Sequence, residues 1–328
     1  MRTIRSPHAT KYPRAVTVFF SVSIHPMPNS ARAKLVLAFL TLYVVWGSTY
    51  LAIRIGVHEL PPALFAAARW LFAATVFALY ARMRGVPWPR GRDEWRTLSI
   101  SGILLIVGGN GLVVWGEQWV PSNLAALIIA TTALWMAGLG TLGARGEALA
   151  PRAIVGLAIG FAGVCLLLWP QAGIGAGDQG NAHILGEAAV LAAALLWALG
   201  TLYGRRRGIK TPPIMAAAMQ MAMGGGILFI AGIALGEPAR WTWTVTGMSA
   251  LLYLSVFGSL GFLAYAWLLH RTTPAKLGTY AYVNPALAVL LGWWLLDEAL
   301  NGRQLVGTAI IIVGVGLVTS APAVRPQR

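Results

Sequence analysis

The 328-residue chain carries one pattern twice, at a single constant offset. Trp46, Leu51 and Arg54 return 151 residues later as Trp197, Leu202 and Arg205, and Pro61-Pro62 return as Pro212-Pro213. Glu147-Ala148-Leu149 returns as Glu298-Ala299-Leu300, and Gly156 and Gly163 return as Gly307 and Gly314. A register held over so long a stretch restricts the chain to two copies of one structural unit.

The number of membrane spans per copy decides how those copies sit. With 57% hydrophobic and 11% charged residues, uncharged runs repeatedly exceed the roughly 18 to 20 residues that cross a bilayer. Windows between charges and Pro/Gly breaks predict spans near 35–57, 62–81, 97–116, 121–143 and 153–170, then 185–204, 212–235, 244–269, 275–296 and 304–321. Five spans per copy is an odd number, so the second copy must insert upside down. The predicted fold is an all-α integral membrane protein of ten transmembrane helices, built as two inverted five-helix repeats. Such pairs recur in secondary transporters, because two near-equivalent halves can open alternately to either side.

Basic residues test the count, since Lys and Arg near span ends are retained on the cytoplasmic face. Twenty-one of the 25 collect on one face, the opposite loops hold Arg240 and Arg303, and Arg54 and Arg69 fall within spans. One span more or fewer would scatter them. Both termini are therefore expected in the cytoplasm of a cell whose inner membrane holds the protein. The net charge of +15 then records orientation, and no basic stripe stands apart from the spans to suggest a nucleic-acid partner. The expected divisions are a basic, disordered cytoplasmic leader at 1–33, a first repeat at 34–170, an extracytoplasmic linker at 171–184, a second repeat at 185–321 and a cytoplasmic tail at 322–328. Within the leader, Ala15 to Ile24 is a short apolar run without a small-residue cleavage site, so a signal peptide is the weaker reading, and Met27 is an alternative start. Cys165, the single cysteine, lies in an apolar run and reads as a buried, inert thiol. The histidines show no i, i+4 zinc spacing, so no metal and no cofactor is expected.

Trp46-Gly47-Ser48-Thr49-Tyr50 in span 1, Arg69-Trp70-Leu71 in span 2, and Tyr282-Val283-Asn284-Pro285 followed by 290–298 in span 9 resemble EamA-type members of the drug/metabolite transporter superfamily. The resemblance covers about residues 34–321. It implies a ten-helix carrier of small metabolites, often outward, with a central cavity between the halves. Where the family commonly has a proline in span 4, this chain has Leu134, the counterpart of Pro285. If that proline supports bending during gating, the bend here is one-sided.

Polar groups inside spans are costly in hydrocarbon, so each is a candidate for function until a structural partner explains it. Arg69 sits about eight residues into span 2, at roughly 12 Å of helical rise. It reads either as an anion contact or as a buried packing donor like its counterpart Gln220. Arg54 near the outer end of span 1 can snorkel or pair with Glu117. Trp46 and Trp197 lie too deep for an interfacial belt; they form aromatic cavity walls or pack on glycines such as Gly47. Ser48, Thr49, Tyr50, Asn110, Tyr265, Tyr280 and Asn284 supply neutral hydrogen-bonding groups, and Pro285 frees a carbonyl where a helix can bend. Gly156, Gly160 and Gly163, with Gly307, Gly314 and Gly316, read as scaffold or homodimer faces. All ten acidic residues fall in loops or near span ends, which predicts weak or indirect proton coupling.

The expected function is a secondary transporter, an exporter of a small organic metabolite such as an amino acid or amphiphilic drug, working by alternating access. The substrate-contacting set is Trp46, Ser48, Thr49, Tyr50, Arg69, Asn110, Trp197, Tyr265, Tyr280 and Asn284, with Pro285 in gating. A lipid-linked sugar flippase is the alternative. A lipid-modifying enzyme needs a paired acidic or histidine constellation at the interface, and only Asp297-Glu298 approaches one; no catalytic residues are expected.

Overall fold

The computed structural model describes residues 29–142, 150–167, 178–269, 271, 280–298 and 302–320. Among them all regular structure is helical. The rods are α1 (Asn29–Glu59), α2 (Pro62–Met83), α3 (Arg92–Gly116), α4 (Ser122–Gly140), α5 (Pro151–Leu167), α6 (Asp178–Arg207), α7 (Pro213–Ala234), α8 (Val245–Leu268), α9 (Tyr280–Leu296) and α10 (Gly302–Thr319). Seven helices are long and apolar enough to cross a membrane, and shorter apolar helices lie within α5, α9 and α10. Large apolar side chains such as Leu37, Leu79, Ile230 and Trp294 stand exposed on the outside, the surface a bilayer covers. The chain is a multi-pass membrane protein.

Local chemistry sets the ends. α2 and α7 both begin on a Pro-Pro pair whose fixed φ and missing N–H suit the first helical turn. Past the end of α7, Gly236 takes φ 68°, and the chain turns into the 3-10 turn Glu237–Arg240. α1 begins at Asn29, earlier than the sequence windows suggest, because Ala31, Arg32, Ala33 and Lys34 favour helix over coil. Residues 1–28, the stretch 143–149 with Glu147, and 171–177 lie outside the described residues.

Helix pairing comes in exchanged couples. α1 packs on α8 and α9, while α6 packs on α3 and α4; α2 packs on α7, and α5 on α10. Both of the last two pairs are antiparallel: Gly225 approaches Leu71 and Gly232 approaches Leu64, while Gly163 approaches Ile310 and Gly314 approaches Gly160 and Gly156. A Cβ at Gly314 would lie 2.5 Å from the Gly160 backbone nitrogen, so this crossing admits no side chain. The glycine faces of α5 and α10 are thus spent on each other within the chain. Cys165 is exposed on the surface of α5, not buried as its apolar run suggests, because the helix turns that face outward.

Acidic side chains staple the helix starts. Glu237 accepts from the backbone N–H of Ala63 at 3.2 Å and Leu64 at 2.7 Å, at the start of α2. Glu94, at the start of α3, accepts from the N–H of Lys210 and Thr211 and from the Thr211 hydroxyl, just before α7. Glu298 accepts from Ser122 N–H at 2.7 Å, Ser122 Oγ at 3.0 Å and Asn123 N–H at 3.0 Å, opening α4. Glu237 and Glu298 meet donors that a helix start leaves unpaired, Glu94 meets those of the two residues before the Pro-Pro start of α7, and each lies at the positive end of a helix dipole. Both Glu298 oxygens are committed to that cap.

Candidate functional site

The middle of α3 and of α8 departs from regular winding. Ile103–Gly111 is π-helical, and so is Leu254–Gly258, whose first residue lies 151 positions after Ile103. The wider π turn re-aims side chains inside a helix and often marks functional positions. Here it presents Asn110, whose Oδ1 accepts from Trp70 Nε1 at 3.0 Å. Gly108 and Gly109 sit under Leu196 and Trp197, letting α6 press close, as their small size suggests.

An aromatic cluster fills the centre. Trp46 meets its repeat mate Trp197 edge to face at 5.5 Å between ring centroids, stacks on Tyr265 at 5.2 Å and meets Tyr280 edge to face at 5.5 Å. Trp197 also packs on Phe262 and Tyr265, and Phe262 on Trp70. Each such pair contributes about 0.5 to 1.5 kcal/mol beyond its buried area. Each tryptophan lies over a glycine of the other half: Trp46 over Gly261, Trp197 over Gly109. Gly47, the glycine that sequence suggests as a partner, instead faces Leu287.

Two cavities flank this cluster. The smaller, of about 70 Å³, is lined by Trp46, Thr49, Tyr50, Ile53, Arg69, Trp70, Asn110, Trp197 and Tyr280 among others. The larger, of about 350 Å³, is lined by Gly200, Thr201, Gly204, Arg205, Gln220, Phe262 and Tyr265, and reaches the α6–α7 turn at Gly208 and Thr211. Thr49, Tyr50, Ile53 and Arg69 have as counterparts, 151 residues on, Gly200, Thr201, Gly204 and Gln220. The two cavities are therefore lined from matching places in the two copies. Tyr265 and Phe262 on one side and Trp46 and Trp197 on the other form the partition between them.

Of the residues singled out in sequence, Trp46, Thr49, Tyr50, Arg69, Asn110, Trp197 and Tyr280 come together at the smaller cavity, and Tyr265 at the larger. Two stand apart. Ser48 hydrogen-bonds Tyr253 Oη at 2.6 Å and the Val44 and Val45 carbonyls, joining α1 to α8. Asn284 is buried with Oδ1 lacking a protein partner, yet it lines neither cavity, and Pro285 beside it lies inside α9. Gln220, Thr201, Gly200 and Gly204 were not singled out as cavity residues. The repeat offset applied to the first-half candidates would have found all four.

Arg69 and Gln220 resolve differently. Gln220 donates Nε2 to Ser101 Oγ at 2.8 Å and is satisfied within the protein. The counterpart of Ser101 across the repeat is Leu252, which offers no acceptor. Arg69 is 2% exposed, stands over the Trp70 ring at 4.4 Å, and leaves Nε and Nη1 without any hydrogen-bond partner. Arg54 donates Nη1 to the backbone carbonyl of Glu117, so the expected partner is right but the acceptor is main chain. Glu117 itself is completely buried, which its place at a span end did not foretell.

A helical bundle with an apolar outside, a wettable interior and cavities on either side of a central partition defines a membrane transporter. The match to known proteins agrees: the model of the EamA-like transporter family covers residues 33–169 and again 184–320. The chain belongs to the EamA-like transporter family, within the drug/metabolite transporter superfamily. It is 35% identical over 293 residues to YedA, an uncharacterized inner membrane transporter of Escherichia coli strain K12, spanning 89% of this chain and 92% of that one. A probable amino-acid metabolite efflux pump of the same strain is 25% identical over 291 residues, 85% of this chain and 92% of that relative. One solved crystal structure superposes with a TM-score of 0.63 at 23% identity, covering 87% of this chain and 96% of that one; it speaks to the fold alone.

Proposed function

We propose that the protein is a ten-span carrier of two inverted repeats, with both termini in the cytoplasm, that exports a small organic metabolite across the bacterial inner membrane by alternating access. The observation that carries this reading is the pair of cavities, built from residues at one repeat offset and parted by Trp46 and Trp197. Inversion is supported by the antiparallel α2/α7 and α5/α10 pairs and by the exchanged helix contacts. The larger cavity opens at the α6–α7 turn beside Arg205, Arg206 and Arg207, on the side the basic residues assign to the cytoplasm. This conformation then receives solute from inside. Export of amino acids or amphiphilic compounds draws support from the aromatic, mostly neutral lining and from the printed name of the efflux-pump relative.

The substrate-contacting set is Trp46, Thr49, Tyr50, Arg69, Asn110, Trp197, Tyr265 and Tyr280, with Ser48 and Asn284 supporting the helices beside it and Pro285 in gating. Thermal-shift screening of the purified chain against amino acids and cationic dyes, followed by uptake of each hit into inside-out vesicles, tests the reading. Uptake lost in Arg69→Gln with folding kept supports it. Placement of Met1 and Arg328 in different compartments by impermeant labelling overturns it.

A further inference from the structure

Among the described residues, three charged side chains are buried: Arg69, Glu117 and Glu237. Glu237 is satisfied as the cap of α2. Glu117 is its opposite. It is 0% exposed, and neither carboxylate oxygen meets a hydrogen-bond donor of the protein. It follows directly on α3 at the helix C-terminus, where the dipole is negative and an anion is disfavoured. The charged and titratable groups that face it are Arg54 and Tyr50 from α1, Arg69 from α2, and Glu298 beyond α9. From α6, His183 lies two residues further on, at the Trp119 carbonyl, where it pairs with Glu187. Arg54 spends Nη1 on the Glu117 backbone, and Arg69 makes no hydrogen bond to the carboxylate. A bare carboxylate removed from water without donors is strongly disfavoured, so its protonated form is the species this pocket suits.

The position matters as much as the burial. Glu117 lies four and seven residues after Val113 and Asn110, which line the smaller cavity, and so continues their helix face just beyond that lining. We propose that Glu117 is the protein's exchangeable proton site, and that its proton sets the charge of the smaller cavity. The proton comes from water and returns to it; no other bond is made or broken. With Glu117 protonated, Arg69 is an uncompensated cation facing the cavity, and an anionic group of a solute is drawn to it. With Glu117 ionised, its charge offsets part of the positive charge of Arg54 and Arg69, and that attraction fades. Proton and anionic ligand therefore favour each other's binding, as reciprocal linkage requires. This reverses the weak coupling that the sequence positions of the acids suggest. Its use in transport rests on the carrier reading above, but its test does not.

The test is infrared difference spectroscopy of the purified full chain, wild type against Glu117→Gln, the variant checked for folding by gel filtration and circular dichroism. The expected result is one protonated-carboxyl C=O band in the wild type at neutral pH, absent from Glu117→Gln, shifted in heavy water and lost as pH rises. In Arg69→Gln the band persists to somewhat higher pH, because Arg54 then remains as the one cation beside Glu117 that favours ionisation. Should Glu117→Gln fail to fold, the same titration on wild type labelled with carboxyl-¹³C glutamate gives the answer. A spectrum with no such band, or a band that neither exchanges nor titrates, overturns the proposal. A band that behaves as expected in a protein that moves no tested solute leaves the proton site standing and sinks the carrier reading instead.

Discussion

The two cavities are lined from matching places in the two copies, yet one holds about 350 Å³ and the other about 70 Å³. Where the first copy puts Tyr50 and Ile53, the second puts Thr201 and Gly204. Large side chains fill in one half what small ones leave open in the other. The polar groups divide the same way: Gln220 finds Ser101, while Arg69 faces an arrangement whose equivalent partner is Leu252. The lesson is that a repeat can fix the frame while a few substitutions inside it give one half an open vestibule and the other a tight, charged chamber.

The comparison breaks or sharpens most at the partition. Trp46 and Trp197 each touch three rings, so Trp46→Ala and Trp197→Ala are each expected to lower stability by about 3 to 5 kcal/mol. Denaturant unfolding in detergent measures both, and losses differing by more than about 2 kcal/mol would mean that the halves do not share the partition equally.

Converting the small cavity toward the large one, by Tyr50→Thr with Ile53→Gly, should cost roughly 2 to 5 kcal/mol through lost packing. The reverse change, Gly204→Ile, meets Ile209 at 3.2 Å from its first carbon and Ser101 at 3.8 Å. Its cost should be smaller, about 1 to 3 kcal/mol of overpacking, and its main effect should be slower thiol labelling of a cysteine placed at Thr201. Unchanged labelling would show that side-chain size does not set the difference in volume.

A subtler contrast lies between the polar mates. Gln220→Leu should cost about 1 kcal/mol, since it strips a donor from Ser101. Arg69→Met removes a buried cation that makes no hydrogen bond, so thermal stability should change by less than about 1 kcal/mol in either direction. A large loss for Arg69→Met would return it to the role of packing donor. The staples offer a contrast of similar size. Glu237→Ala at the buried cap should cost about 1 to 2 kcal/mol and Glu94→Ala, at a half-buried one, about 1 kcal/mol or less; equal losses would argue that burial of the cap is immaterial.

Much of this was legible in the chain itself. Apolar windows located the helices to within a few residues for most spans, because a bilayer demands length and hydrophobicity whatever the tertiary packing. The offset pairs Trp46 with Trp197, and the packed bundle brings their rings together. What position alone misjudged was environment. Glu117 stands at a span end, where an acid ordinarily reaches water, but neighbouring helices enclose it. Ser48 and Tyr50 sit two residues apart on α1, yet one hydrogen-bonds Tyr253 while the other lines the cavity. A helical turn separates their directions by about 200°, and no composition rule says which faces the centre.

The amino-acid sequence by itself determined that this chain crosses the membrane repeatedly and that its two parts share a plan, since both follow from runs of apolar residues and a fixed register. Only the packed bundle decided which polar groups are met and which are left over. Satisfaction of a buried charge depends on atoms brought from distant helices to within a few ångströms, and no stretch of chain carries that geometry alone.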